Sequence, residues 1–141
     1  MSKIIDILLV EDNAGDARLA SEALKESKVL NNLIHLDNGL NALKYLKMEG
    51  DYKNAPKPDL ILLDLNLPGM DGRDVLKEIK SDPELKRIPV VILTTSRAEE
   101  DVLKSYELHA NCYISKPIDL EQFISVVKSI ESFWFTIVKL P

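Results

Sequence analysis

PDLILLDLNLPGMDG, residues Pro58 to Gly72, holds four consecutive aliphatic residues, Leu60, Ile61, Leu62 and Leu63, that stop abruptly on the carboxylate of Asp64. An uninterrupted aliphatic run of this length reads as a strand buried on both faces, as in a parallel sheet covered by helices. In open α/β sheets ligands gather just beyond the carboxyl ends of the strands, so the pattern predicts Asp64 at the edge where chemistry takes place. The residues that follow, Asn66, Pro68, Gly69, Asp71 and Gly72, are turn formers and a helix cap. They predict a tight loop leading into a helix that begins near Asp71. Taken alone, Asp64 reads equally well as a cap or structural turn acid; the rest of the chain decides.

Upstream, Ile4 to Val10 is a second aliphatic run, and it ends on Glu11 and Asp12. From Ala14 to Ser27 the residues Leu19, Ala20, Ala23 and Leu24 recur at helical spacing, with Asp16 in the first turn where a carboxylate suits the helix dipole. Leu33 to Leu36 is a weaker strand closed by Asn38 and Gly39; Leu40, Leu43 and Leu46 mark a second helix, and Met48 to Pro58 is a polar loop. Downstream, Val75, Leu76 and Ile79 define a third helix, stopped near Asp82 because the residue before Pro83 avoids helical angles. Pro89 to Leu93 is another aliphatic strand, ending on Thr94, Thr95 and Ser96. A fourth helix carries Val102, Leu103, Tyr106 and Ala110, and a fifth strand, Cys112 to Ser115, runs into Lys116 and Pro117. The last helix begins near Asp119 and carries Leu120, Phe123, Ile124, Val127, Ile130 and Trp134. Five strands alternating with five helices predict an α/β fold, with right-handed crossovers and a parallel sheet covered by helices on both faces.

A chain of 141 residues predicts one domain. Its core is expected over 4–131, with an aromatic C-terminal extension over 132–141 and no output domain. The net charge of -5 argues against a duplex-binding module, which needs a basic face to exchange for counterions. A single cysteine, Cys112, allows no internal disulfide and suits a reducing compartment. The N-terminal apolar run is too short and too soon charged for a signal peptide, and no stretch approaches a membrane span. The expectation is a cytoplasmic protein without nucleic-acid or membrane partners.

Four of the five strands end in functional groups: Glu11 with Asp12, Asp64, Thr94, and Lys116. A folding core requires none of them. Carboxylates gathered with a backbone carbonyl make an all-oxygen site suited to a hard divalent ion, above all Mg²⁺. Without a cation, their mutual repulsion would raise at least one pKa. In that setting Asp64 can act as the nucleophile of aspartyl-phosphate chemistry, with Lys116 and the Thr94 hydroxyl binding phosphoryl oxygens.

These residues carry a resemblance across essentially the whole chain to the receiver domain of two-component response regulators, the CheY-like type. The resemblance implies a flavodoxin-like sheet of order 2-1-3-4-5. It implies Glu11, Asp12, Asp64 and the backbone carbonyl of Asn66 as Mg²⁺ ligands, Asp64 as phosphoacceptor, and Thr94 and Lys116 at the phosphoryl group. Thr94 and Tyr113 fall on the switch positions, and a sensor histidine kinase is the implied partner. The long loop before the third strand, the NCYISKP segment and the aromatic end SFWFTIVKLP narrow the likeness to stand-alone regulators that partner phytochrome-type kinases. Thr95 departs from the pattern, being β-branched where the family mostly has a smaller residue.

Against these readings stand plainer ones: Glu11 and Asp12 as a cap pair, Thr94 as a hydroxyl satisfying backbone, Lys116 as a solvated charge. His35 and His109 read as structural or surface residues, Cys112 as a small core residue, and Tyr113 as a core aromatic or a switch. A different function class, a Mg²⁺-dependent aspartyl-phosphate hydrolase, usually needs a second aspartate two residues past the nucleophile, where this chain has Asn66. A phosphorylation-independent module on the same fold typically lacks the acids and lysine retained here. Finally, Val126, Phe133 and Ile137 spread the last helix's apolar stripe around the cylinder, and Phe135 and Leu140 follow. Such a surface needs a second cover, supplied either by residues 135–141 folding back or by a two-fold homodimer through the fourth helix, fifth strand and fifth helix. The homodimer is the favoured expectation.

Overall fold

A computed structural model describes residues 4–26, 30–94 and 112–115, together with Glu121 and Ser125. Along the chain run β1 (Ile5–Val10), α1 (Ala14–Glu26), β2 (Asn31–Leu36), α2 (Gly39–Leu46), β3 (Leu60–Asp64), α3 (Gly72–Ser81), β4 (Val90–Thr94) and β5 (Cys112–Ser115). Two short 3-10 turns, Gly50–Tyr52 and Leu85–Arg87, sit in the connections around β3 and before β4. The five strands form one sheet of order β2-β1-β3-β4-β5, every pairing parallel. That is the order the resemblance implies.

Successive residues of a strand face opposite sides of a sheet, and both sides are covered. On one side Leu8, Val10, Ile61, Leu63 and Ile92 pack with Ala42, Leu43 and Leu46 of α2 and with Val75, Leu76 and Ile79 of α3. On the other, Ile7, Leu9, Leu60, Leu62, Val91 and Leu93 pack with Ala17, Ala20, Ala23 and Leu24 of α1. The double cover is why β1 and β3 read as continuous aliphatic runs. All five residues of β3 are buried.

The helix ends are set by side chains. Asn38 caps α2, its Oδ1 accepting from the Asn41 N–H at 2.8 Å, and Asp71 caps α3, accepting from the Arg73 N–H at 2.7 Å. Gly39 opens α2 with no room for a side chain, since a Cβ there would lie 2.6 Å from Val75 Cγ2 of α3. At the far end of α3, Asp82 Oδ1 accepts from the N–H groups of Glu84 at 2.9 Å and Leu85 at 3.2 Å. These two bonds, the Glu84 one foremost, hold its carboxyl below the ordinary aspartate range.

Boundaries shift where polar residues hide a strand. β2 begins at Asn31, two residues ahead of the expected Leu33, because Asn31 and Asn32 pair with Ile5 and Asp6 of β1. The two amides are used rather than wasted: Asn31 Nδ2 donates to the Leu24 carbonyl at 3.1 Å and Asn32 Nδ2 to Asp6 Oδ1 at 3.3 Å. β4 runs from Val90 to Thr94, one residue later than expected. The polar stretch from Met48 to Pro58 holds the first 3-10 turn, and Tyr52 from it meets Tyr45 of α2 edge-on at 5.4 Å between ring centroids. The expected fourth helix, with Thr95, His109, Lys116 and residues 132–141, lies outside the described residues, and of the expected fifth helix only Glu121 and Ser125 are described, both helical. Among the described residues no helix is long and apolar enough to cross a membrane.

Candidate functional site

Val10 of β1 pairs with Leu63 of β3, so the residues that follow them, Glu11 and Asp64, leave the sheet side by side at its carboxyl edge. With Asp12 they form a cluster in which one oxygen of each carboxylate lies within 4.8 Å of the others. Glu11 and Asp64 are 0% and 1% exposed, whereas Asp12 is open to solvent. The turn that presents the pair is tied down on several sides. The Glu11 N–H donates to the Leu36 carbonyl at 3.0 Å, and Glu11 Oε2 accepts from the Asn13 N–H at 3.3 Å. Asn13 Oδ1 in turn accepts from the Asp16 N–H at 2.9 Å, which leads the turn directly into α1.

The loop after β3 is held as closely. Asp64 Oδ1 accepts from the Asn66 N–H at 3.1 Å, fixing the plane of the carboxylate. Leu65 and Leu67 are buried and anchor the loop in the core, while Asn66 and Pro68 between and after them face solvent. The Leu65 N–H reaches the Leu93 carbonyl at 3.2 Å, and the Gly72 N–H returns to the Leu65 carbonyl at 3.0 Å. Gly69 takes the left-handed angle, φ 73°, that the reversal requires. Gly72 is needed for another reason: a Cβ there would collide with the Asp64 carbonyl oxygen and the Leu65 backbone.

Of the residues singled out in the sequence, Glu11, Asp12 and Asp64 are thus brought together, with Asn66 two residues along the same loop. Thr94 closes β4 one step past Leu93, the partner of Asp64, which puts its backbone at the same sheet edge. Thr94 pairs with Ser115 and Tyr113 with Ile92, so β5 brings the chain to this edge just before Lys116. His35, read from the sequence as structural or surface, has a contact that no spacing announced: its Nε2 lies 2.7 Å from the Glu11 carbonyl oxygen.

Two buried carboxylates beside a third repel one another as anions, and a bound cation relieves that repulsion. The donor set is all oxygen and hard, so Glu11, Asp12 and Asp64 suit a divalent ion of the Mg²⁺ or Mn²⁺ kind rather than a soft metal.

An acid cluster of this kind at the carboxyl edge of a β2-β1-β3-β4-β5 sheet defines a class of signalling module. The family model of the response regulator receiver domain matches residues 7–128, and the chain belongs to that family, whose members are switched by phosphorylation and work with histidine kinases. Among individual relatives, response regulator Rcp1 of Synechocystis sp. is 56% identical over 135 residues, covering 96% of this chain and 92% of Rcp1. The crystal structure of the phosphorylated cyanobacterial phytochrome response regulator RcpA matches with a TM-score of 0.80 at 56% identity, over 94% of this chain and 95% of that one. The Mn²⁺-bound form of Rcp1 matches with a TM-score of 0.80 at 55% identity, over 97% of this chain and 99% of that one.

Proposed function

We propose that the chain is a phosphorylation-activated switch in which Asp64 accepts a phosphoryl group from the phosphohistidine of a sensor kinase. The observation that carries this reading is the convergence of Glu11, Asp12 and Asp64, one oxygen of each within 4.8 Å, where two neighbouring strands end. In the transfer an Asp64 carboxylate oxygen attacks phosphorus, the new O–P bond forming as the P–N bond to the kinase histidine breaks and its electron pair returns to the imidazole. The Asn66 N–H on Asp64 Oδ1 orients the nucleophile. Glu11, Asp12, Asp64 and the backbone carbonyl of Asn66 would hold Mg²⁺, which when bound supplies the positive charge that lets an anionic phosphoryl group approach a cluster of acids. The Thr94 hydroxyl and the Lys116 ammonium receive phosphoryl oxygens, and Thr94 with Tyr113 passes the change to the fourth-helix, fifth-strand and fifth-helix face. The solved Mn²⁺-bound form of Rcp1 supports a divalent ion, since the same oxygen donors take either metal.

The relatives support a phytochrome-type kinase as partner, because RcpA is a phytochrome response regulator. We read 1–141 as one receiver domain, with core 4–131 and extension 132–141; the single cysteine, which suits a reducing compartment, supports the cytoplasm, and the apolar residues spread around the last helix support a homodimer. The chain would catalyse only its own phosphorylation and dephosphorylation. Turnover of a free substrate as an aspartyl-phosphate hydrolase is disfavoured by Asn66, whose amide cannot exchange a proton as the acid/base of that mechanism must.

Incubation with acetyl phosphate and Mg²⁺, read by intact mass, tests the assignment. The wild type should gain one acid-labile phosphoryl group, and Asp64→Asn, which keeps the shape but removes the nucleophile, should gain none. An equal gain in both would place the phosphoacceptor elsewhere.

A further inference from the structure

The peptide group that joins Glu11 to Asp12 is gripped from outside the acid cluster. Its carbonyl oxygen lies 2.7 Å from His35 Nε2, and the preceding Glu11 N–H is already bonded to the Leu36 carbonyl at 3.0 Å. A carbonyl only accepts, so the contact requires that Nε2 carry the hydrogen. In the parallel register His35 stands opposite Leu9, so its ring reaches forward along β1 by two residues to meet Glu11. His35 is an exposed residue on the edge strand, yet it directs a ring nitrogen at the main chain. With neighbouring residues of β2 engaging both backbone groups of Glu11, the plane of the Glu11–Asp12 peptide cannot turn freely. The nitrogen and Cα of Asp12 lie in that plane, so the plane fixes the N–Cα axis about which the Asp12 side chain is carried. Glu11 and Asp64 are 0% and 1% exposed and are placed by packing; Asp12, at the surface, has no such support.

We propose that His35 is a positioning residue for Asp12, orienting through the Glu11 carbonyl the one solvent-exposed carboxylate of the divalent-cation site. The role rests on the reading of Glu11, Asp12 and Asp64 as that site. Mn²⁺ affinity, measured by electron paramagnetic resonance titration of wild type, His35→Leu, His35→Gln and Asp12→Asn, separates the two claims, with thermal unfolding in chelator as the measure of fold. Removing a residue that orients a metal ligand weakens binding by about tenfold or more. His35→Leu should show a loss of that size with its metal-free unfolding midpoint near wild type, and His35→Gln, whose amide nitrogen can reach the place of Nε2, should recover most of it. Unchanged affinity in His35→Leu beside a large loss in Asp12→Asn overturns the positioning role and leaves the cation site standing. Unchanged affinity in both variants overturns the site and the role together. A loss in His35→Leu that His35→Gln does not recover overturns the hydrogen bond as its cause. The wild-type chain gives a check independent of any substitution: a long-range proton–nitrogen correlation should show the His35 hydrogen on Nε2, and a hydrogen on Nδ1 alone overturns the proposal.

Discussion

At Gly72 the first turn of α3 rests on the main chain of Asp64, the proposed phosphoacceptor. The neighbours of the missing Cβ are the Asp64 carbonyl oxygen and the Leu65 Cα and carbonyl oxygen, all backbone atoms that cannot swing aside as a side chain can. Gly72→Ala should therefore cost about 1 to 3 kcal/mol, as other insertions into closely packed sites do. Because the adjustment falls on the loop that carries the Asn66 N–H to Asp64, Mn²⁺ affinity should drop as well. Urea unfolding and metal titration of the same preparation check both effects, and a variant with wild-type values in each would show that the loop has slack the packing does not suggest. Gly39 is a milder case, since its nearest neighbour is the Val75 side chain rather than backbone.

Among the elements, α2 depends most visibly on its cap. It spans only Gly39–Leu46, has no acidic residue in its first turn, and begins on the glycine that its contact with α3 demands. The Asn38 side chain supplies the one cap bond at that end, so Asn38→Ala should lower stability by about 1 kcal/mol in urea unfolding. No change would mean that packing against α3 alone fixes the start of the helix. What the sequence made legible follows the same physics. β1 and β3 stood out because cover on both faces removes the polar alternation, and the acids stood out because each ended such a run. The start of β2 was hidden because Asn31 and Asn32, turn formers by type, satisfy their amides through Leu24 and Asp6 and so sit in a strand. The His35 contact was hidden because it joins a side chain to a carbonyl 24 positions away, and backbone atoms leave no mark in a sequence.

For the whole molecule, the described packing accounts for both faces of the sheet beside α1, α2 and α3, and the sequence alone speaks for the end of the chain. Phe133, Trp134, Phe135, Ile137 and Leu140 put aromatic and aliphatic groups within the last nine residues of a chain whose net charge is -5. A homodimer that covers them should sediment as such at roughly 50 μM, a concentration at which micromolar association is largely complete. A chain ending at Ser132 should sediment as a monomer, and a full-length monomer, phosphorylated or not, would reject the dimer.

β3 lies between β1 and β4 with all five residues buried, so its amides reach water only when both layers of the molecule open. In hydrogen exchange such amides should be among the slowest of the described residues, and Asp64 closes that strand. On the proposed assignment, a phosphoryl group on Asp64 would be carried by a strand buried along its whole length. The persistence of such a mark would then be expected to follow hydrolysis at the carboxylate rather than opening of the strand beneath it.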